Sequence, residues 1–309
     1  MTVHNEELIS ATICTRNRCA SVVDAISSLL SSDHRNFELV IVDQSTDDQT
    51  QKAIQKFLPD SRIKYIRSFT VGKARALNIG MRESRGDIVA ITDDDCIVPT
   101  NWLGVMGSIF ETHPRVAVAF CNVSGVTHDS TRGFIPAYTR RTDFLATTIQ
   151  DKRLARGIGA GMAVRRSYLE KLGGFDDFLG PGGMFPSAEE RDISIRALLS
   201  GYQVYETALV AVEHFGFRTW EQGKQLTRRD FVAIGAAYAK PLKCGRWDFL
   251  EVAVFDLLNE ALLPPLKDML KLRRPRGLAR ISSFVLGFYR GLVTPVDKTS
   301  IRFIEKNGA

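Results

Sequence analysis

The sequence has no apolar run that approaches the ~18–20 residues needed to cross a bilayer. Its first ten residues, MTVHNEELIS, lack a basic stretch followed by an apolar one, so no secretory leader is expected there. Proline (11) and glycine (24) are near average and show no period, which excludes collagenous and low-complexity chains. Cysteine is scarce: 5 residues, an odd number, at spacings that match neither zinc nor thioredoxin patterns, as expected for reduced thiols in a cytosolic protein. Without a leader, the sequon at Asn122, Val123 and Ser124 reads as chance. What is present, 309 residues with 44% apolar and 25% charged side chains, is ordinary globular composition. That length suits roughly two domains, or one large domain with an appendage.

Charge is unevenly placed. Residues 1–222 carry 25 basic and 27 acidic side chains, whereas residues 223–309 carry 16 and 8. A near-neutral body thus precedes a basic region suited to an anionic partner.

Short β-rich apolar runs alternate with helical patterns in the first 120 residues. Strands are expected at 8–14, 37–42, 62–66 and 88–91, and helices at 20–30, 47–58 and 73–82. Continuous apolar strands separated by helices predict a parallel sheet covered on both faces. Further strands are expected near 116–121, 158–164 and 204–212, a helix at 187–199, and a helical pattern from about 219 onward, while 125–156 shows no clear pattern. No internal repeat is present. Polar residues gather after strands 1, 2 and 4, at the carboxyl ends where such sheets bind ligands.

Two clusters point to chemistry. Asp93, Asp94 and Asp95 follow the fourth strand. Adjacent carboxylates repel one another, and a strand end that tolerates this is suited to a hard divalent cation, Mn²⁺ or Mg²⁺. Glu189 and Glu190 open a helix, where its dipole favours carboxylates. Asp192 has a helical neighbour in Arg196, but the two glutamates do not, so one of them suits a general base.

The motif order resembles the GT-A glycosyltransferases of the large inverting family 2. Those run Thr-x-Asn-Arg after strand 1, Val-Asp-x-Ser-Thr-Asp after strand 2, a Gly-x-x-x-Ala-x-Asn-x-Gly helix, an Asp-x-Asp strand end and a Gly-Glu-Asp-x-Asp-x-x-x-Arg helix. Here Thr15, Asn17 and Arg18 stand at the first, and Val42, Asp43, Ser45, Thr46 and Asp47 at the second. Gly72, Ala76, Asn78 and Gly80 supply the third, and Asp93 and Asp95 the fourth. Ala188, Glu189, Glu190, Asp192 and Arg196 match the last, with Ala188 in place of Gly and Glu190 in place of Asp.

The resemblance covers about 6–216. It implies a Rossmann-like α/β fold, with a mostly parallel sheet and helices on both faces, over residues 1–218, followed by a mostly helical basic region over 219–309. It further implies that Thr15, Asn17, Arg18, Asp43, Lys73, Asn78, Asp93 and Asp94 contact a nucleotide-sugar. Gly159 and Gly161 would line the sugar pocket, and Asp95 would hold the divalent metal, with His214 either a second ligand or a packed histidine. Glu190, or Glu189 in its stead, would be the catalytic base. The implied activity is metal-dependent inverting transfer of a hexosyl group from a nucleoside-diphosphate donor, UDP by family frequency. The acceptor would be a hydroxyl on a glycan, a lipid-linked sugar or a small molecule. The glycine-rich stretch 180–186 would act as a lid.

Lys267, Lys271, Arg273, Arg274, Arg276 and Arg280 precede an apolar stripe at 281, 284, 285, 288, 289 and 292. The pattern leaves open a peripheral membrane contact through 267–293, at the inner face of the membrane, or a helix packed on the body. The stretch 247–263 suits core or a homodimer contact. Nucleic acid is not expected as a partner, since no aromatics interleave the bases. A nucleotidyltransferase would want a glycine-rich loop after strand 1, which 15–18 lacks, and a dehydrogenase its Gly-x-Gly-x-x-Gly. A non-catalytic nucleotide-sugar-binding protein is the remaining alternative.

Overall fold

Ile9, Thr12, Ile13 and Thr15 give the first segment the β-branched side chains that suit a pleated strand, and Ile9–Thr15 forms β1, buried except at Cys14. The computed structural model describes residues 7–273, 275 and 277–305. After β1 come α1 (Cys19–Leu30), β2 (Phe37–Asp43), α2 (Gln49–Ile54), β3 (Ile63–Arg67), α3 (Lys73–Glu83) and β4 (Ile88–Asp93). α2 is shorter than the 47–58 pattern predicts, because residues 55–59 turn ahead of the extended approach to β3.

Next are β5 (Cys96–Ile97), α4 (Trp102–Thr112), β6 (Val116–Gly125), β7 (Gly133–Phe134), β8 (Phe144–Ala146), β9 (Met162–Arg165), α5 (Arg166–Lys171), α6 (Glu189–Leu199) and β10 (Gln203–His214). The sheet order is β3-β2-β1-β4-β9-β6-β10-β5, with β8 also on β10. β1 to β4 run parallel, as do β6 and β10, whereas β9, β5 and β8 oppose their neighbours. The fold is therefore mixed α/β with a mostly parallel central sheet.

Helices cover both faces. α1 turns Val22, Ala25, Ile26 and Leu29 inward, spaced for one helical face, into an apolar cluster that also holds Trp102 and Met106 of α4. On the other face α3 and α6 contribute Leu77, Met81, Ile193 and Ala197. α3 approaches β1 closely because residue 80 is glycine: a Cβ there would lie 2.6 Å from Thr12 Cγ2.

β11 (Arg218–Thr219) pairs with β7 and leads into α7 (Trp220–Lys243). A capping box starts α7: Gln222 N–H donates to Thr219 Oγ1 and Thr219 N–H to Gln222 Oε1. α8 (Leu250–Asp256), a π-helical turn at 257–262, α9 (Leu263–Leu270) and α10 (Leu278–Val293) follow. A small hairpin, β12 (Val296–Asp297) with β13 (Arg302–Phe303), closes the chain where a helical pattern was expected. Ala236, Tyr238, Phe284 and Phe303 join the same apolar cluster as Leu77, Phe175 and Ile193, so the core runs on across residue 218.

Candidate active site

Parallel pairing sets the carboxyl ends of β1, β2 and β4 side by side, with Thr15 opposite Asp43 and Cys14 opposite Asp93. A cavity of about 530 Å³ opens there. Its wall includes Thr15, Arg18, Lys73, Asp93, Asp94, Asp95, Gly159, Glu189, Glu190 and His214, brought together from six separate stretches of chain.

The aspartates are kept together by the cations beside them, Lys73 for Asp93 and Arg18 shared by Asp94 and Asp95. Asp93 Oδ1 accepts from Lys73 Nζ at 2.5 Å, and that same ammonium lies 3.6 Å from Glu189 Oε1. Asp94 takes Thr15 Oγ1 at 2.7 Å and Arg18 at 2.9 Å. Asp95 takes the same Arg18 nitrogen at 2.8 Å and lies 3.4 Å from His214 Nε2. Burial opposes ionisation of Asp95, but the His214 hydrogen bond, then the charges of His214 and Arg18, hold its carboxyl down to about 2. Burial pushes Asp94 up, with Arg18 and Thr15 opposing. Burial would lower Lys73, but the adjacent Asp93 carboxylate keeps it firmly charged.

Antiparallel pairing of β10 with β5 aligns His214 with Cys96, one residue past Asp95. His214 Nδ1 donates to the Pro136 carbonyl at 2.8 Å, which turns Nε2 toward Asp95. Among the described residues, Asp95, Cys96 and His214 form the group whose ligand atoms lie close enough to hold one ion, all within 4.8 Å. The carboxylate oxygen fits Mn²⁺ or Mg²⁺, and the imidazole nitrogen is a ligand that Mn²⁺ takes more readily than the oxygen-seeking Mg²⁺. Cys96 does not, since burial pushes its thiol up and keeps it protonated. Residue 216 is part of the fit. A Cβ there would stand 2.6 Å from His214 Nε2 and 2.9 Å from Asp95 Oδ2, so only glycine leaves the face of this pair clear.

The two glutamates differ. Glu189 is buried, and burial followed by Glu190 raises its carboxyl to about 8 against the pull of Lys73. Glu190 is half-buried on the cavity wall. Ala188, which caps α6, has φ 72°, the left-handed region. Glycine enters that region without a Cβ clash, which explains the family preference. Asp192 is absent from the wall; it pairs with Arg196 at 2.8 Å inside the core.

Four expected residues lie off the wall. Asn17 Oδ1 accepts from Thr46 N–H at 2.9 Å. Asp43 is fully buried and accepts from Ser45 N–H, Tyr65 and Arg67. The Asn78 amide donates to Phe175 O and Asp177, tying α3 to the loop before α6. Gly161 packs inward, where a Cβ would lie 2.7 Å from Cys121 Sγ. The 180–186 stretch is anchored, not free: Phe185 is fully buried against Phe303, and Pro181 O accepts from Lys73 N–H at 2.8 Å. Only Pro181 and Gly182 of it reach the cavity.

Arg218, Leu226 and Asp230 also line the cavity, together with Ser187. Burial raises the Asp230 carboxyl, opposed by a hydrogen bond from Ser187 and reinforced by Glu190. No sequence pattern marks Arg218, Leu226 and Asp230, because they enter from α7 and its approach, beyond the motif series; only the acid at 230 within a basic stretch stands out.

The family model for glycosyl transferase family 2 matches residues 10–173. An uncharacterized glycosyltransferase of Rickettsia conorii is 34% identical over 93 residues, 30% of this chain and 15% of that protein, so the chain spans a small part of that relative. Among solved structures, a mannosyltransferase from Pyrobaculum calidifontis in complex with GDP-Man and Mn²⁺ superposes with TM-score 0.60 at 18% identity, covering 92% of this chain and 87% of that one. Staphylococcus aureus TarS 1-349 gives 0.59 at 17% identity, covering 91% and 80%. At these identities the two structures establish a shared GT-A fold.

Proposed function

The chain belongs to glycosyl transferase family 2, and from that premise we propose that it is a metal-dependent inverting hexosyltransferase, moving a sugar from a nucleoside-diphosphate donor to a hydroxyl acceptor. One observation carries this reading: Glu190, the Asp95–His214 pair and the cationic Lys73 and Arg18 share a single cavity at the strand ends. The Pyrobaculum neighbour binds GDP-Man with Mn²⁺ and TarS binds UDP-GlcNAc, which supports a nucleotide-sugar donor here. UDP is our assignment for the base. The acceptor class is a hydroxyl on a glycan, a lipid-linked sugar or a small molecule.

Asp95 and His214 would hold the divalent metal, Mn²⁺ or Mg²⁺, which as a Lewis acid offsets charge on the departing diphosphate. Lys73 and Arg18 supply fixed positive charge in the same cavity. An acceptor hydroxyl is a poor nucleophile at neutral pH, and Glu190 takes its proton as it attacks the anomeric carbon, a contribution on the order of 10²–10⁴ in rate. Attack opposite the leaving group inverts that centre. Glu189, held protonated by burial, is suited to donate a hydrogen bond rather than to accept the proton. Gly159 permits close approach of the sugar: a Cβ there would meet only Lys73 Nζ, at 3.5 Å, and Glu190 Cβ, at 3.9 Å. Thr15 and Asp94 brace Arg18. Asn17, Asp43 and Asn78 shape the loops around the cavity from behind it.

The C-terminal helices supply a contact with either a membrane surface or a second copy of the chain. No helix is long and apolar enough to cross a membrane. Our reading places the enzyme in the cytoplasm, at the inner face of the membrane, where free thiols such as the five here persist.

A screen of nucleotide-sugars with Mn²⁺ or Mg²⁺ tests the activity by thermal shift and donor hydrolysis. A donor that stabilises the protein only with metal, and fails with Asp95→Ala, is the expected result. If every donor fails and Asp95→Ala behaves as wild type, the reading is overturned.

A further inference from the structure

Large apolar side chains are exposed unevenly. Between residues 247 and 293 lie 14 of the 22 that are exposed among the described residues, including Leu270 at 76% and Leu272 at 98%.

The packing of α10 explains part of it. The helix meets α7 through its small residues. A Cβ on Gly287 would collide with the Val232 carbonyl, one on Gly291 would lie 2.7 Å from the Ala236 carbonyl oxygen, and Gly235 of α7 gives the same close approach to Phe284. This glycine ridge takes the inner side, with Phe284 buried beside it. Half of the apolar stripe seen in the sequence is thereby left outside: Val285, Tyr289 and Leu292 are exposed, and Leu278, Leu286 and Val293 widen the outer face.

Charge is sorted as well. Four acids of this region are paired with arginines. Glu251 pairs with Arg153 at 2.5 Å and Asp248 with Arg246 at 2.9 Å. Asp256 and Glu260 meet Arg156 and Arg191 of the body. Asp268 is buried. Lys267, Lys271 and Arg273 remain exposed around the same leucines. Arg274 and Arg276 add to the positive charge in sequence but lie outside the described residues.

We infer that α9, residues 271–273 after it and the outer side of α10 dock on an anionic lipid bilayer. Leu270, Leu272, Val285, Leu286 and Tyr289 enter the interface while Lys267, Lys271 and Arg273 meet headgroup phosphates. Apolar burial and surface charge add in such a contact, and neither alone anchors firmly. Tyr289, with an apolar ring and a polar tip, suits the boundary. The contact lies on the bilayer and does not cross it. It goes beyond the catalytic reading and does not depend on it.

Flotation of the full chain with phosphatidylcholine vesicles, with and without about one-third phosphatidylglycerol, tests it. Binding to the anionic vesicles that weakens with salt is expected. Lys267→Gln/Lys271→Gln/Arg273→Gln should weaken it roughly a hundredfold, and Leu286→Asp/Tyr289→Asp should abolish it. Circular dichroism and the thermal midpoint check that both variants stay folded. If wild type ignores anionic vesicles, the inference fails. It also fails if wild type sediments as a dimer that Leu286→Asp/Tyr289→Asp converts to monomer, since the face is then an interface between copies.

Discussion

Lys240 of α7 lies 2.7 Å from Asp192 of α6, and both side chains are buried. The same ammonium is 2.5 Å from Asp176, whose carboxylate also accepts the Phe303 backbone N–H. Asp192 in turn holds Arg196, whose guanidinium reaches the Leu172 and Gly174 carbonyls. One cation from the C-terminal helices therefore fixes both the helix that begins with Glu189 and Glu190 and the loop before it.

Lys240→Met leaves two carboxylates buried without their shared cation, and removing one partner of such a pair costs about 3–5 kcal/mol. Chemical denaturation should show that loss. Asp176→Asn in the Lys240→Met background removes one orphaned charge and should recover part of it. If the lysine positions the base, any folded variant should lose kcat more than donor affinity, and Lys240→Arg should restore kcat in part.

The glutamates separate by role and by pH. Glu190→Gln should lower kcat by roughly 10²–10⁴ and leave donor binding intact. Glu189 behaves differently because its folded carboxyl is raised to about 8, by burial first. The folded state then holds that proton more tightly than the unfolded chain. Between the ordinary carboxylate range and about 8, stability must fall as pH rises. Glu189→Gln removes this slope, so its thermal midpoint should gain on wild type steadily from about pH 5 to pH 8. Parallel midpoints over that window would refute the assignment.

Local pattern carried much of this structure into view. Strand and helix periods were enough to set out β1 to β4, and Asp93, Asp94, Asp95, Glu189 and Glu190 were visible as acids that repel or lack local partners. His214 could be read either way from sequence; pairing of β10 with β5 is what brings it to Asp95. Gly216 could not be picked out, since its role exists only once those two side chains meet. Asp230 and Arg218 reach the cavity through the packing of α7, a long-range contact that no local period encodes. The outer side of α10 was hidden for a similar reason. Its stripe is amphipathic, but which side packs was decided by glycines that fit α7.

Gly216→Ala tests the metal assignment without touching a ligand. The added methyl would press on both Asp95 and His214. Wild type should show a Mn²⁺-dependent thermal shift that grows with donor, and Gly216→Ala should lose most of that shift when it is measured from the variant's own metal-free midpoint, which the clash lowers. Isothermal titration with Mn²⁺ gives an independent reading. Undiminished Mn²⁺ binding by the variant would remove Asp95 and His214 from the site.

Two nearby glycines should separate cavity from core. Residue 159 faces the cavity, where a Cβ has room. Gly159→Val would put its methyls toward Lys73 and Glu190, so donor hydrolysis should be lost with little change in thermal midpoint. Residue 161 faces Cys121 and Val123, with a Cβ 2.7 and 3.0 Å from their side chains. Overpacking of this kind costs about 1–3 kcal/mol, so Gly161→Val should lower the midpoint first and activity only in step with it. If both variants stay equally stable and both lose donor binding, residue 161 belongs to the sugar pocket after all.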